Sequence, residues 1–415
     1  MTKTHYLIPF LLVFIVLTGI GCTAESKIRL MAEDRPAHIT EHPVFIDLKE
    51  IENQFDSGDI VLYRETKKGI EAVPFQIDGN EMWFLQKGNV DGYVLQNEKN
   101  KNGESNVNVR KENGDLVLSI KQMPKLTYRY GMTYPPEGVD SIFRKSGFIH
   151  PVLSPGGDTL TRIQPPDHYH HYGMWGPWTH TQINGQQVDF WNLGDGKGTV
   201  LYKDFVDSHS GEVFASFNAL QEHIDLLTRE EPQVALNENL AIRLWDLDRP
   251  DRYIFDYTTT FNTPMENGML FEAYRYGGGV GMRFTARWHK DNCTVLTSEG
   301  KDRLSADGTN ARWCIVKGES ADGKGTNGIL FMSHTANKSH PEPMRIWPID
   351  ANGGRGDMFF EFCPIRHEEW NIAPQKKYQL KYRMVVFEDN LTANVAEEYW
   401  QAFVKTPKMS LIKDQ

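Results

Sequence analysis

Short runs of alternating apolar and polar residues, separated by Gly, Pro, Asn and Asp, recur along almost the whole chain. This alternation is the period of a half-buried strand, and the residues between the runs favour tight turns. Helical periodicity is clear only over 392–404, where Thr392 can cap a helix with Val395, Tyr399 and Phe403 on one face. The sequence therefore predicts an all-β protein of stacked sandwiches with one C-terminal helix.

The runs fall into two groups along the 415 residues. Runs such as VFIDL and DIVLYRE predict a small β-sandwich over residues 41–122. Those from LTYRYGM to KYRMVVF predict a larger β-sandwich over 125–405, which carries a histidine-rich segment. Cys293, Cys314 and Cys363 fall in strand-like surroundings, so they are predicted to be small buried apolar residues.

The N-terminus has the pattern of an export signal. Lys3 precedes an apolar run from Leu7 to Ile20, which is shorter than the roughly 18 residues of a spanning helix. The sequence predicts a signal peptide over 1–22, lipidation of Cys22 and a tether over 23–40; plain export without the lipid is the alternative. We expect a periplasmic or outer-membrane lipoprotein of a Gram-negative bacterium that meets the membrane only through the lipid.

The formal net charge is −10 and no basic run is present. Binding to nucleic acid depends on neutralising phosphates, so a nucleic-acid partner is not expected.

The segment 165–191, PPDHYHHYGMWGPWTHTQINGQQVDFW, holds four of the fourteen histidines. If HYHHY is extended, His168 and His170 share one face and His171 lies on the other. The two on one face could begin a metal site, with His334 among the later histidines that could complete it, but no recognised ligand spacing is present. Acid–base chemistry, a sugar platform and a solvated loop are the alternatives. We expect no cofactor, with His168 and His170 as the first ligands if a metal is found.

Aromatic residues and a second cluster accompany these histidines. Tryptophan faces suit the C–H faces of pyranose rings, although core packing is the alternative for each tryptophan. In the segment 271–288, FEAYRYGGGVGMRFTARW, an extended chain would place Glu272, Tyr274 and Tyr276 on one face beside a triple glycine. Tyr274 and Arg275 are candidates for proton transfer and carboxylate binding; a β-bulge or edge turn is the alternative.

The segments PPDHYHHYGMW, QINGQQVDFW, YRYGGGVGMRF, NARWCIVKG, GILFMSH and KYRMVVF resemble a bacterial family that has been labelled methane oxygenase PmoA. The resemblance covers roughly residues 125–405. A copper monooxygenase subunit would have transmembrane helices, and because this sequence shows none, the label does not transfer. Members look like exported β-proteins encoded beside carbohydrate-degradation genes in Bacteroidetes and related bacteria, which implies sugar chemistry in the cell envelope. Tyr172 stands where members often have Arg, so the substrate can differ.

Three classes of function compete: a lyase or dehydratase, a glycoside hydrolase, and a non-catalytic carbohydrate-binding lipoprotein. A hydrolase needs two carboxylates flanking one bond, and the sequence indicates no such pair. Elimination from a uronic acid needs a cation, a base and an acid, which Arg, His and Tyr supply. We therefore predict β-elimination on uronate-containing oligosaccharides, preferably by a dehydratase acting on a terminal sugar.

The predicted catalytic pair is His171 with Tyr274, and His170 is the alternative base. The predicted substrate-binding residues are Asp167, His168, Trp175, Trp178, Trp191, Arg275, Arg283 and His334.

Overall fold

The computed structural model describes residues 27–32, 41–50, 60–88, 92–98, 105–406 and 409–411. The predicted signal peptide and Cys22 lie outside the described residues. Strands dominate the described chain, and the predicted all-β fold with a C-terminal helix is confirmed. In these ranges no helix is long and apolar enough to cross a membrane.

Two large antiparallel sheets form the main body. The first has nine strands, in the order Asn310–Ala311, Glu342–Ile346, Phe359–Phe362, Val280–Arg283, Met174–Trp175, Phe148–Val152, Met123–Arg129, Asp115–Ile120 and Val107–Glu112. The second has eight strands, in the order Gly198–His209, Phe214–Asp225, Gln233–Trp245, Arg252–Asn262, Tyr378–Glu388, Thr326–Ser333, Trp313–Glu319 and Cys293–Thr297. A smaller sheet contains Gln186–Val188, Thr181–Ile183, Met269–Phe271 and Trp370–Ile372.

The main core lies between the two large sheets, because successive side chains of a strand point to opposite faces. In the strand Phe214–Asp225, Phe217 and Ala219 belong to this core, whereas Ser216 and Asn218 are half-buried on the outer face. The three described cysteines, Cys293, Cys314 and Cys363, are free and buried, as predicted. Each large sheet therefore presents its outer face to other elements or to solvent.

A small sandwich stands beside the main body. Its five-stranded sheet has the order Met409–Leu411, Lys27–Ala32, Tyr93–Asn97, Ile60–Thr66 and Gly69–Ala72. Its three-stranded sheet has the order His42–Asp47, Glu81–Gln86 and Phe75–Asp78. The core between them includes Leu30, Val44, Ile46, Leu62, Phe84 and Leu95.

Two predicted boundaries require correction. The strand Lys27–Ala32 falls within the predicted tether 23–40, yet it pairs with Tyr93–Asn97 because Ile28 and Leu30 alternate with polar residues and are buried in the small core. The strands Val107–Glu112 and Asp115–Ile120 fall within the predicted first unit, 41–122. They hydrogen-bond into the nine-stranded sheet instead, since their apolar side chains, Val107, Leu116, Leu118 and Ile120, belong to the main core.

The C-terminal helix, Ala393–Val404, begins where the sequence predicted. The Thr392 hydroxyl accepts a hydrogen bond from the Val395 N–H at 3.4 Å. Tyr399 and Phe403 are buried in a cluster with the outer face of the eight-stranded sheet. The other helical segments are short: Ala351–Gly354 and the 3₁₀ turns Leu48–Glu50, Ser141–Phe143 and Leu193–Asp195.

Candidate functional site

Two consecutive turns shape the histidine-rich segment. The His168 N–H donates to the Pro165 carbonyl oxygen at 2.8 Å, and the His171 N–H donates to the His168 carbonyl oxygen at 3.0 Å. Pro166 occupies the second position of the first turn, where its fixed φ favours the turn and its missing N–H excludes it from a β ladder. The extended conformation that placed His168 and His170 on one face and His171 on the other is therefore wrong.

The turns gather three imidazole rings, which we call the histidine cluster. The ring centroids of His168 and His171 are 4.7 Å apart, those of His170 and His171 4.9 Å, and those of His168 and His170 5.4 Å. The cluster lies over the outer face of the nine-stranded sheet, whose Trp175 and Phe359 contact the His171 ring. The turns thus place three proton-binding side chains on this face of the sheet.

The His171 ring is enclosed by aromatic side chains, which we call the aromatic wall. The wall consists of Trp175, Trp191, Trp347 and Phe359, whose ring centroids lie 5.4–5.7 Å from that of His171. His171 is 1 % exposed, and burial, together with His170 and Arg283, holds its pKa well below the usual value. His171 is therefore neutral and lies behind the surface that a substrate would meet.

An ion network around the buried Arg283 anchors the turns to the sheet. Arg283 is 0 % exposed; its Nη2 lies 2.8 Å from Asp167 Oδ2 and 3.4 Å from Asp357 Oδ2. Its guanidinium carbon is 4.5 Å from the Trp347 ring centroid. His168 Nδ1 lies 2.7 Å from the same Asp167 oxygen. Burial lowers the pKa of Arg283 to about 10, so the side chain stays cationic at neutral pH and orients the turn.

Tyr276 also contacts the aromatic wall, through Trp191 and Trp347. Its ring centroid is 5.2 Å from that of Trp191. Its hydroxyl oxygen accepts hydrogen bonds from Arg345 Nη2 at 2.9 Å and from Trp347 Nε1 at 3.1 Å. Because both donors point at the oxygen, the phenolic proton can be donated to a ligand. The guanidinium of Arg275, an exposed residue, lies 5.4 Å from the Tyr276 ring centroid.

Tyr274 does not join the histidine cluster with which the sequence paired it. Residues 272–279 are not in a strand, so the prediction that Glu272, Tyr274 and Tyr276 share a strand face is wrong. The Tyr274 ring stacks on that of His180, with centroids 3.7 Å apart and planes at 7°. Tyr276, two residues on, is the tyrosine that contacts the wall.

The triple glycine before the strand Val280–Arg283 packs against the core. Gly277, Gly278 and Gly279 have φ values of 127°, 78° and 62°, which residues with a side chain rarely adopt. A Cβ on Gly278 would lie 2.1 Å from the Trp178 ring, and one on Gly279 would lie 2.1 Å from a backbone carbonyl oxygen. The glycines therefore let the chain that carries Tyr276 pass close to the core.

The remaining predicted binding residues have different positions. Trp178 is 2 % exposed in the main core, with its ring centroid 4.1 Å from that of Phe271. Trp175 and Trp191 are 4 % and 5 % exposed, so they support the site and offer little surface to a sugar. His334 lines a groove on the outer face of the eight-stranded sheet, not the histidine cluster.

Within the described ranges, no three His, Cys, Asp or Glu side chains are arranged to hold a metal ion. His168 and His170 are both half-buried, and His168 is hydrogen-bonded to Asp167. Activity without a metal stays a prediction.

Sequence reasoning missed Arg345 and Trp347. Arg345 is in the strand Glu342–Ile346, and Trp347 directly follows this strand. Only strand pairing brings them to the site: Arg345 pairs with Glu361 on the next strand, and Glu361 pairs with Gly281 on the strand after that. The turns, by contrast, had a local signal. Proline followed by Asp is typical of the central positions of a turn.

His170 should make stability depend on pH. Burial, followed by the charge of His168, lowers the pKa of His170 to about 4 from 6.5. The unfolded chain then binds a proton between these values while the folded chain does not, so this contribution to stability is lost as pH falls from about 6.5 to 4. We expect the difference in unfolding free energy between the wild type and His170→Gln to shrink over this window in urea titrations. A difference that is constant with pH would contradict the assignment.

The sequence profile of a family described as "Family of unknown function (DUF6807)" matches residues 115–401. This range overlaps most of the resemblance over 125–405, and the description carries neither a reaction nor the methane oxygenase label. No curated protein matches the chain.

Similar solved structures include a heparan sulfate lyase from Pedobacter heparinus, at 6 % identity and a TM-score of 0.32, covering 69 % of this chain and 35 % of the lyase. A putative aldose 1-epimerase from Escherichia coli K12 is 10 % identical, with a TM-score of 0.30 and coverage of 69 % and 99 %. A galactose mutarotase related enzyme from Lactobacillus acidophilus is 9 % identical, with a TM-score of 0.30 and coverage of 69 % and 100 %. Likenesses at these scores assign no activity to the chain.

Proposed function

The chain belongs to the family of unknown function DUF6807, whose description names no reaction, and we propose from its own site that it is a carbohydrate-active enzyme. The proposed reaction is β-elimination at a uronate-containing oligosaccharide, preferably as a dehydratase that releases water from a terminal sugar. One observation carries the proposal: a neutral histidine, His170, and a tyrosine, Tyr276, contact the same tryptophan, Trp191, and a guanidinium donates to the tyrosine oxygen.

His170 has the properties of the base. Its low pKa keeps the imidazole neutral at neutral pH, so it can accept a proton. Its ring centroid lies 6.3 Å from that of Trp191. His170 is half-buried, whereas His171 is fully enclosed. Because proton transfer needs hydrogen-bonding reach, we assign His170 rather than His171 to this step.

Tyr276 has the properties of the acid. Arg345 and Trp347 donate to its oxygen, so negative charge that develops there as the proton leaves is stabilised. Arg275, which is exposed and lies over the Tyr276 ring, is placed to neutralise the sugar carboxylate. Withdrawing charge from the carboxylate makes the neighbouring C–H proton easier to remove.

The bonds in the step balance without an oxidant or reductant. His170 takes the proton from the carbon beside the carboxylate, and the released electron pair forms a carbon–carbon double bond. The carbon–oxygen bond on the next carbon breaks, and the leaving oxygen takes the Tyr276 proton. The His170 proton then returns to Tyr276 through solvent. If the leaving oxygen is a hydroxyl the product is water; if it is glycosidic, the chain is cut.

Hydrolysis has less support from the carboxylates near the site. Asp167 accepts hydrogen bonds from His168, Arg283 and Asn352. Glu361 is 0 % exposed, and burial raises its pKa well above the usual value. A glycosidase needs two carboxyl groups that reach one bond from opposite sides.

Mass spectrometry of acidic oligosaccharides incubated with the purified protein tests the proposal. We expect loss of one water without shortening of the chain. Two fragments, one of them unsaturated, would make the enzyme a chain-cutting lyase. Gain of water or an unchanged substrate would contradict elimination.

We further propose that the protein is exported and anchored by a lipid on Cys22, which lies outside the described residues. We expect Cys22→Ala to move the protein from the membrane fraction to the soluble periplasmic fraction. If the variant fractionates with membranes as the wild type does, the anchor is wrong, and if the wild type is found in the cytoplasm, export is wrong.

A further inference from the structure

The outer face of the eight-stranded sheet carries a groove on the opposite side of the sandwich from the histidine cluster. Three adjoining hollows, of about 420, 390 and 440 Å³, follow one another over this face. The first and third share Gln379 and Lys381, and the second and third share Lys377. Volumes of this size are typical of ligand sites.

Strand register lays polar side chains across the floor in successive rows. Arg243, Asp256 and Arg383 are cross-strand neighbours, and the next row contains Ala241 and Thr258. Farther along, Asn239 pairs with Thr260, and Asn237 pairs with Asn262. From Arg243 to Asn237 the groove runs about 20 Å at about 3.4 Å per residue.

The charged end of the groove is locked by internal pairs. Arg383 makes two hydrogen bonds to Asp256, at 2.6 and 3.0 Å, and Arg243 is paired with Asp78. Lys203 is paired with Glu222 in the second hollow. Lys338 is paired with Glu368, and Asp207 and Glu238 line the groove together with Lys377 and Lys381. Since acidic and basic groups are nearly equal in number, the groove does not match a polyanion.

Uncharged hydrogen-bonding groups and aromatic rings line the rest of the groove together with three lysines, Lys338, Lys377 and Lys381. Asn237, Asn239, Thr260 and Asn262 line the second hollow. Trp370 and Tyr378, both half-buried in the third hollow, meet edge to face with centroids 5.4 Å apart. Amides and hydroxyls beside aromatic rings suit the hydroxyls and C–H faces of sugars.

We propose that this groove binds an extended neutral polysaccharide chain. It is a docking site separate from the histidine cluster, and it does not depend on the reaction proposed there. An extended peptide is a poorer match, because peptides add to sheets by pairing with an edge strand, and this groove lies across a sheet face.

Affinity electrophoresis of the full chain through gels containing a neutral glucan, galactan or arabinoxylan tests the proposal. We expect at least one to retard the wild type, and Ala241→Trp, which fills the floor, to weaken this retardation at least tenfold. The double variant Asn239→Ala, Thr260→Ala removes floor contacts without adding bulk and should also weaken it. Leu304→Trp, at a residue 72 % exposed outside the groove, is the matched control.

The outcome is independent of the proposed reaction. His170→Gln should be retarded like the wild type, because it leaves the groove unchanged. Absence of retardation by all three polysaccharides would overturn the proposal, as would equal retardation of the wild type and both groove variants. Groove-dependent retardation by an acidic polysaccharide alone would overturn its neutral specificity.

Discussion

Replacing His170 with glutamine should lower turnover of the acidic oligosaccharide by about two to four orders of magnitude, because the glutamine side chain cannot accept the proton. Tyr276→Phe should cause a loss of similar size, since phenylalanine keeps the ring against Trp191 but removes the proton donor. Both variants should still bind substrate. Turnover, binding and thermal unfolding measured on the same preparations would separate a chemical defect from a folding defect.

His180→Gln is the matched control. His180 belongs to the same segment and is half-buried, but its ring stacks on Tyr274 and not on the histidine cluster. Its turnover should stay within a few-fold of the wild type. If His170→Gln and Tyr276→Phe also stay within a few-fold while folded, the acid–base assignment is wrong.

Arg283→Met should destabilise the fold by about 1–3 kcal/mol, the cost of removing a charged hydrogen-bond partner from Asp167 and Asp357. Methionine fills much of the same volume, but Asp167 loses its guanidinium partner and Asp357 keeps only that of Arg355. The free energy of unfolding from urea titration at neutral pH measures this effect. Because Arg283 orients Asp167 and thereby His168, turnover should fall as well.

Arg275→Met provides the comparison for stability. Arg275 is exposed, so its loss should change the unfolding free energy by no more than about 0.5 kcal/mol. The affinity of the Arg275→Met variant for the acidic oligosaccharide should fall, because Arg275 is the proposed partner of the carboxylate.

For Arg283→Met, a loss of less than about 1 kcal/mol in unfolding free energy would show that the ion network around Arg283 does not hold the turns in place.

Local signals account for what the sequence predicted correctly. The C-terminal helix follows from a capping threonine and a 3.6-residue period, and the strands follow from alternation, because both patterns are complete within short segments. The strand Lys27–Ala32 was missed because its short pattern, KIRLMA, borders a polar stretch and its pairing partners lie far along the chain.

The site was predicted only in part for the same reason. The histidines could be found because they are adjacent in sequence, but their conformation depended on the turn around Pro166. Arg345 and Trp347 contact Tyr276 although they lie about 70 residues away in sequence. The local pattern of apolar and polar residues does not predict contacts at such a separation. Burial then distinguishes His170 from His171, and burial is set by the aromatic wall as a whole.

The fate of the hydrogen on the carbon beside the carboxylate tests the central claim most directly. An acidic oligosaccharide carrying deuterium at that carbon should lose the label together with the leaving oxygen, giving an unlabelled unsaturated product by mass spectrometry. The label should be lost far more slowly with His170→Gln. A product that keeps the deuterium, as hydrolysis would give, would contradict elimination at this site.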